Sequence, residues 1–280
     1  MAGRLGLIAG NGRLPFEVAE AALERGVELA IVAIERNTDP AIESCPAAAF
    51  TWVAAGEIGR VIDFLKSAGS SEVILAGGVA KRELLRDPAA LRPDARAIAL
   101  LSRLRDRGDD ALLRAIAREL EAENLPVVDS TRHLADRLTP EGPLHPGTPA
   151  PEPTSMLARD LALGLRVARA LGALDVGQAV IVKDGTVLAV EAIEGTDEAI
   201  RRAHRFGGKG AVVVKAAKPG QDLRFDVPAI GPSTLEVART CGVQAIGLEA
   251  GRTIVLERAR TLTLAESCGI AIIGLRPDLT

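Results

Sequence analysis

Six prolines between positions 139 and 153 divide the sequence into two stretches of similar length, and this feature limits the possible folds most. Proline lacks a backbone N–H and has a fixed φ, so such a segment forms neither a continuous helix nor a central strand. A chain of 280 residues is also long enough for two domains. The sequence therefore predicts a first domain over 1–138, a connector over 139–153 and a second domain over 154–280.

The first stretch alternates short apolar runs with a segment of helical periodicity. Runs of strand length lie at 5–10, 29–34, 72–76 and 125–128. One face of a helix is formed by apolar residues at the spacing i, i+3, i+4 and i+7, namely Ile58, Val61, Ile62 and Leu65. Asp109 and Asp110 are expected to cap a further helix. Alternating strands and helices predict a Rossmann-like domain with a parallel sheet.

The second stretch combines helices with a hairpin, which predicts a mixed α/β domain. Two apolar runs are joined by Asp-Gly at 184–185, a pair that favours a tight hairpin turn. A helix is expected over 155–171, closed by Gly172, and a strand pair is expected across 250–251.

Composition narrows the class of protein. Hydrophobic residues make up 48%, yet no apolar run approaches the roughly 18 residues that span a bilayer. Without a secretory signal, and with three cysteines in no CxxC pair, we expect a soluble cytoplasmic protein. A net charge of −3, five Phe, one Trp and no Tyr argue against nucleic acid as a partner.

The first candidate site is the glycine turn after the first apolar run. Gly10, Asn11 and Gly12 precede a helix that starts near Pro15, and N–H groups at such a position can contact a phosphate. The same glycines can equally serve only to make a tight turn. Glu35 lies where a ribose-binding acid would be expected, which keeps a nucleotide-dependent oxidoreductase as an alternative, although Pro15 replaces the third glycine of that motif.

The second candidate site lies where a strand meets a helix. Gly195 permits close backbone approach, Thr196 can cap the helix or contact a phosphate oxygen, and Glu191 can hold a divalent cation. The alternative is an ordinary helix start, with Asp197 placed favourably against the helix dipole.

The third candidate site is the charged segment 215–228. If the chain is extended there, Asp222, Arg224 and Asp226 project to one side. The two carboxylates suit Mg²⁺ or a similar ion such as Mn²⁺, while Arg224 and Lys215 or Lys218 meet phosphate charge. This set suits hydrolysis of a phosphoanhydride, and a surface row of salt bridges is the alternative.

Three segments together resemble the LpxI-type UDP-2,3-diacylglucosamine hydrolases, in order and over nearly the whole chain. They are GLIAGNGRLP at 6–15, VEAIEGTD at 190–197 and QDLRFDVPAIG at 221–231. The resemblance implies an enzyme of lipid A synthesis with two α/β domains. It uses Mg²⁺ and water to split its substrate into UMP and 2,3-diacylglucosamine 1-phosphate (lipid X), with water attacking the sugar-side phosphorus.

The resemblance also implies roles for individual residues. The catalytically required aspartate of the family matches Asp226, as metal ligand or water-positioning base, with Asp222 as its partner. Arg224, Gly10 and Gly12 are then expected to contact phosphate groups. We further expect a homodimer and peripheral contact with the cytoplasmic face of the inner membrane. A non-catalytic module that binds a nucleotide sugar or a lipid is a third hypothesis.

Overall fold

A computed structural model describes the protein over residues 3–78, 91–104, 109–146, 148, 151–152, 154–220, 222, 224 and 227–278. The chain forms two compact units. Unit 1 comprises Met1–Ala135 and Asp222–Asp226, and unit 2 comprises Asp136–Gln221 and Val227–Thr280. The proline-rich segment 139–153 thus belongs to unit 2.

The sheet of unit 1 has four parallel strands in the order β3-β2-β1-β4. These are β1 (Arg4–Ala9), β2 (Leu29–Ile34), β3 (Ala49–Val53) and β4 (Ser70–Ala76). Every residue of β2 is buried, as expected when both faces of a parallel strand are covered. The order 3-2-1-4 is that of a Rossmann-like half, which confirms the predicted class of the first domain.

The described helices of unit 1 are α1 (Leu14–Glu24), α2 (Ile58–Ser67), α3 (Ala95–Arg103) and α4 (Asp109–Ala122). The predicted face of α2 is confirmed, because Ile58, Ile62 and Leu65 are buried. Helix α4 is described from Asp109 onwards, and the side chains of Asp109 and Asp110 that were expected to cap it lie outside the described residues. Strand β3 and helix α3 were not predicted from the sequence.

The run at 125–128 is not a full strand, so that prediction was wrong in extent. It forms a single parallel bridge from Val127 to Val73 at the outer edge of β4. Pro126 accepts the Val73 N–H at 2.9 Å but has no N–H of its own to extend the ladder. The run therefore adds one bridge to the sheet.

Unit 2 contains a six-stranded mixed sheet in the order β5-β12-β10-β8-β6-β7. Its strands are β5 (Gly142–Pro143), β6 (Ala179–Lys183), β7 (Thr186–Val190), β8 (Val212–Lys215), β10 (Ala245–Glu249) and β12 (Ala271–Leu275). Strands β8, β10 and β12 are parallel, and β6 is antiparallel to β8 and β7. The predicted mixed α/β domain is thus confirmed.

A separate two-stranded parallel sheet joins β9 (Ala229–Ile230) to β11 (Ile254–Val255). The strand pair expected across 250–251 was therefore wrong. The chain does turn there, with Gly251 at φ 71°, but the strand before it lies between β8 and β12 while the strand after it pairs with β9. A turn signal does not specify the partner of a strand.

The helices described in unit 2 are α5 (Met156–Ala173), α6 (Thr196–Gly207), α7 (Pro232–Thr240) and α8 (Arg258–Cys268). Helix α5 starts as predicted, with the Ser155 hydroxyl accepting the Ala158 N–H. It ends at Ala173, one residue after the Gly172 that was predicted to close it. Gly172 also makes room for Lys218, because a Cβ there would lie 3.0 Å from Lys218 Cα. Asp184 and Gly185 form the predicted hairpin turn, with φ of 49° and 74°.

Candidate functional site

The glycine turn after β1 is tied to the loop after β4. The Gly10 N–H donates to Ala76 O and the Asn11 N–H to Gly78 O, both at 2.7 Å. In return the Gly78 N–H donates to Asn11 Oδ1 at 3.1 Å. The N–H groups of Gly10 and Asn11 are therefore already engaged within unit 1, so any contact of these two residues with a phosphate must use other atoms.

The two glycines of this turn occupy their positions for different structural reasons. A Cβ on Gly10 would overlap Gly78 O and lie 2.8 Å from Gly77 O, so no side chain fits there. Gly12 has φ of 82° and open space where its Cβ would be. The turn lies between β1 and β4, where the strand order reverses, which is where open α/β sheets bind their ligands. Gly12 and the start of α1 remain the candidate phosphate contact here.

Glu35, the candidate ribose acid, forms an ion pair with Arg92 at 2.6 Å. Its carboxylate thus already interacts with a cation at the end of β2. A ribose hydroxyl would have to replace or share this partner, which weakens the argument for an oxidoreductase.

Asp222 and Arg224 lie together, but not because of strand alternation. Arg224 is in a turn in which its N–H donates to Asp222 Oδ1 at 3.2 Å. The guanidinium also donates to both carboxylate oxygens, through Nε to Oδ1 at 2.8 Å and Nη2 to Oδ2 at 2.6 Å. Arg224 further contacts Glu121 at 2.9 Å. The expected extended segment is therefore wrong at Arg224.

The guanidinium of Arg224 holds the pKa of the Asp222 carboxyl below its usual range, chiefly by donating hydrogen bonds to it. Asp222 is therefore an anion already matched by a cation. Asp226, expected beside it, lies outside the described residues. Across the part of the chain that the structure describes, no three His, Cys, Asp or Glu side chains form a group able to hold a metal.

One end of the unit 2 sheet collects polar residues from several strands. Because β7, β8 and β10 run in one direction and β6 in the other, the same end receives Gln178 before β6, Glu191 after β7, Lys215 in β8 and Glu249 in β10. This is the carboxyl end of the parallel strands, where ligands bind in α/β proteins. Side chains distant in sequence meet here.

Three sequence-predicted residues form a hydrogen-bonded chain at this end. Lys215 Nζ donates to Thr196 Oγ1 at 2.9 Å and to Ala229 O at 3.1 Å. The Thr196 hydroxyl donates to Glu191 Oε1 at 2.8 Å, and Glu191 Oε2 accepts the Gln178 N–H at 3.2 Å. Thr196 is buried. We call Glu191, Thr196 and Lys215 the sheet-end triad.

Gly195 gives Thr196 its place in this triad. With φ of 84°, Gly195 turns the chain into α6, and the Thr196 side chain makes no cap at the helix start. Asp197 and Glu198 occupy the first turn and already complement the helix dipole. Two carboxylates at this helix start disfavour a phosphate there. The group of the triad that can attract a phosphate is therefore the Lys215 ammonium.

Glu249, which was not predicted as a site residue, is almost fully buried at the same sheet end. Its carboxylate accepts a hydrogen bond from Arg169 Nη2 at 2.7 Å and another from the Ala217 N–H at 2.8 Å. Glu249 thus fixes the chain that leaves β8 and continues towards position 226. The signal was present, since a charged residue ends an apolar run at 245–249 as Lys215 does in β8.

Lys218, the alternative phosphate ligand, pairs with Asp175 at 2.5 Å. It is therefore engaged at the surface of unit 2, and Lys215 is the better candidate of the two.

Cys241 is buried in the core of this unit, and Cys268 packs against the same core. Burial raises the pKa of the Cys241 thiol.

Comparisons with known proteins agree along the whole length. Residues 4–137 match the family model described as the LpxI N-terminal domain, and residues 146–273 match the LpxI C-terminal domain. The chain is 36% identical, over 98% of both chains, to a protein of Caulobacter vibrioides named UDP-2,3-diacylglucosamine pyrophosphatase LpxI. A solved biotin carboxylase domain from Hydrogenobacter thermophilus covers 74% of this chain and 42% of its own at 12% identity, with a TM-score of 0.26, which is too low to carry an argument.

Fold and site together define an α/β enzyme of two units, with a glycine turn at the strand-order reversal of one sheet and polar residues at the carboxyl end of the other. The family models cover both units and agree with the high-coverage relative. The chain belongs to the LpxI family.

Proposed function

We propose that this protein hydrolyses the pyrophosphate of UDP-2,3-diacylglucosamine, giving UMP and 2,3-diacylglucosamine 1-phosphate in lipid A synthesis. The main support for this proposal is that both units match the LpxI family and that a relative is named for this pyrophosphatase activity. Water adds one oxygen to the sugar-side phosphorus as the bond to the bridging oxygen breaks, and the bridging oxygen leaves with UMP. The substrate is thus cut at a phosphoanhydride and no bond of the sugar changes.

Different residues bind the phosphates and activate the attacking water. Lys215 binds a phosphate, as do Gly12 and the start of α1, with Gly10, Asn11 and Gly195 shaping their loops. Asp226 orients and deprotonates the attacking water. The guanidinium of Arg224 opposes phosphate charge while its partner Asp222 holds it in place. A positioned base of this kind contributes about 10²- to 10⁴-fold in rate.

A divalent cation, Mg²⁺ or Mn²⁺, is part of the proposal. Such an ion neutralises charge that develops on the phosphates. Mg²⁺ commonly binds through one or two carboxylates plus substrate phosphates, so it does not require a preformed cluster of three protein ligands. Asp226 and Asp222 fit this pattern by chemistry, although the bonds from Arg224 limit Asp222 to the lone pairs that remain.

We also propose a cytoplasmic enzyme that meets its diacylated substrate at the inner membrane and forms a homodimer. Among the described helices, none is both long and apolar enough to cross a bilayer. Contact with the membrane would then be peripheral. Co-sedimentation with anionic vesicles and the mass of the protein in solution test these two points separately.

The direct test is release of UMP from UDP-2,3-diacylglucosamine by purified protein, with and without Mg²⁺. We expect Mg²⁺-dependent UMP from the wild type and a loss of about 100-fold or more in Asp226→Ala. The exposed Asp278→Ala serves as the matched control and should retain wild-type turnover. In ¹⁸O-labelled water, the label should appear in 2,3-diacylglucosamine 1-phosphate. A well-folded wild type that releases no metal-dependent UMP would contradict the proposal, and label in UMP would contradict the site of attack.

A further inference from the structure

We propose that Glu191 is a positioning residue and not a metal ligand: through Thr196 it directs the Lys215 ammonium towards a phosphate of a nucleoside-diphosphate-linked substrate. This inference rests on the proposed function for the identity of the substrate. It assigns the sheet-end triad one task, which is anion binding.

The direction of each hydrogen bond in the triad follows from donor counts. A threonine hydroxyl has one hydrogen, and an ammonium has only donors. Since Lys215 can only donate to Thr196 Oγ1, the hydroxyl hydrogen must be the one donated to Glu191 Oε1. Glu191 therefore sets the rotation of the hydroxyl, and the hydroxyl oxygen accepts a hydrogen bond from the Lys215 ammonium.

Each oxygen of Glu191 accepts one hydrogen bond from the chain. Oε1 accepts the Thr196 hydroxyl at 2.8 Å and Oε2 accepts the Gln178 N–H at 3.2 Å. Gln178 is buried, and a Cβ at the preceding Gly177 would overlap the backbone of Glu191. The half-buried carboxylate is thus held against the start of β6 by main-chain contacts, as expected for a hydrogen-bond acceptor that positions its neighbour. These two bonds orient the carboxylate towards Thr196 and the chain at Gln178.

Lys215 keeps its charge available to a ligand. Within the described ranges, the Lys215 ammonium forms no ion pair with a carboxylate, and Thr196 separates it from Glu191. Two of its three N–H donors go to neutral oxygens, those of Thr196 and Ala229. One donor and the positive charge are left at the carboxyl end of the sheet, which is the arrangement that binds an anion.

Lys183 provides a matched control in the same sheet. It ends β6, and its ammonium also donates to a backbone carbonyl, that of Gly207 at 2.7 Å. Because β6 is antiparallel to β8, Lys183 lies at the opposite end of the sheet from Lys215. If a lysine only joins elements of the fold, its replacement by methionine should leave UDP binding unchanged, as we expect for Lys183.

The test measures UDP binding by calorimetry, without turnover, alongside KM, kcat and the Mg²⁺ concentration for half-maximal activity. Losing a hydrogen bond to a charged group should weaken UDP binding about 10- to 100-fold in Lys215→Met, whereas Lys183→Met should match the wild type. Thr196→Val should raise the dissociation constant of UDP and KM about 5- to 10-fold with little change in kcat, and Thr196→Ser should restore both. Glu191→Gln should raise KM and leave the Mg²⁺ midpoint unchanged.

Three results would overturn the inference. These are wild-type UDP binding in Lys215→Met, equal binding by Thr196→Val and Thr196→Ser, and an increase in the Mg²⁺ midpoint of tenfold or more in Glu191→Gln. If Lys215→Met does not fold, Thr196→Val and Thr196→Ser still decide the matter, since only Thr196→Ser retains the hydroxyl at this buried position. A wild type that binds UDP through Lys215 but releases no UMP would contradict only the proposed function.

Discussion

Removing the buried carboxylate of Glu249 tests how the chain after β8 is held. In Glu249→Ala, the Ala217 N–H loses its acceptor and Arg169 loses its carboxylate partner. Glu249→Gln is the matched variant, because it keeps the volume and one carbonyl oxygen for the Ala217 N–H but removes the charge. The pair separates the cost of an unsatisfied N–H from the cost of a lost ion pair.

The expected cost follows from burial. An N–H left unsatisfied in the core costs about 1–3 kcal/mol. A fully buried ion pair costs about 3–5 kcal/mol to break, but the Arg169 side chain is 24% exposed and retains a bond to Pro277 O, so its share is smaller. We expect Glu249→Ala to lower the free energy of unfolding by about 3 kcal/mol and Glu249→Gln by about 1–2 kcal/mol.

Unfolding should be followed by urea titration and by thermal melting. A loss of about 3 kcal/mol corresponds to a fall of roughly 6–12 °C in Tm for a domain of 150–250 residues. Trp52, the single tryptophan of the sequence, lies in β3, so its fluorescence reports unit 1, while far-ultraviolet circular dichroism reports both units. Losses below about 1 kcal/mol in both variants would refute the idea that this carboxylate holds the chain after β8.

Three further predictions concern the glycine turn, acid stability and the metal. Gly10→Ala should lower the free energy of unfolding by about 1–3 kcal/mol, because its Cβ would overlap neighbouring backbone. Gly12→Asn should lower it by less than about 1 kcal/mol, since the position is open and Asn tolerates positive φ. Equal losses for the two variants in urea titrations would contradict this. Hydrogen bonds from Lys66 and Arg96 lower the pKa of Glu123 to about 2 from 4.5, so its stabilisation is complete above pH 4.5 and is lost as pH falls towards 2. The stability difference between the wild type and Glu123→Gln should therefore vanish near pH 2, and a difference that persists there in acid titrations would oppose this account. Chelation of Mg²⁺ should stop UMP release and leave the circular dichroism spectrum unchanged; activity that survives chelation would remove the metal from the mechanism.

Much of the local structure could be predicted from the sequence because its causes are local. The run at 29–34 is a strand with those bounds, and the Asp-Gly pair at 184–185 makes the expected turn. Ser155 caps its helix as Ser, Asp and Asn commonly do. Periodicity, turn chemistry and capping all act within a few residues, so one sequence suffices to read them.

Predictions that depended on a partner elsewhere in the chain were less successful. The segment around Arg224 was expected to be extended, yet a turn closed by Asp222 brings the two side chains together. Gly172 was expected only to close a helix, which ends one residue later, but it also makes room for the residue at position 218. Glu249 was missed because its importance comes from Ala217, which is 32 residues away in sequence.

The sequence by itself determined the α/β class and the identity of the chemical groups, including Glu191, Thr196 and Lys215. Only the tertiary structure decided which of these groups touch. Sheet order and strand direction bring Lys215 within 2.9 Å of Thr196, although 19 residues separate them in the chain. A carboxylate that the sequence offered as a metal ligand is thereby engaged as the acceptor of a hydroxyl. Hydrogen-bond partners across a sheet are set by strand order, which residue spacing does not encode.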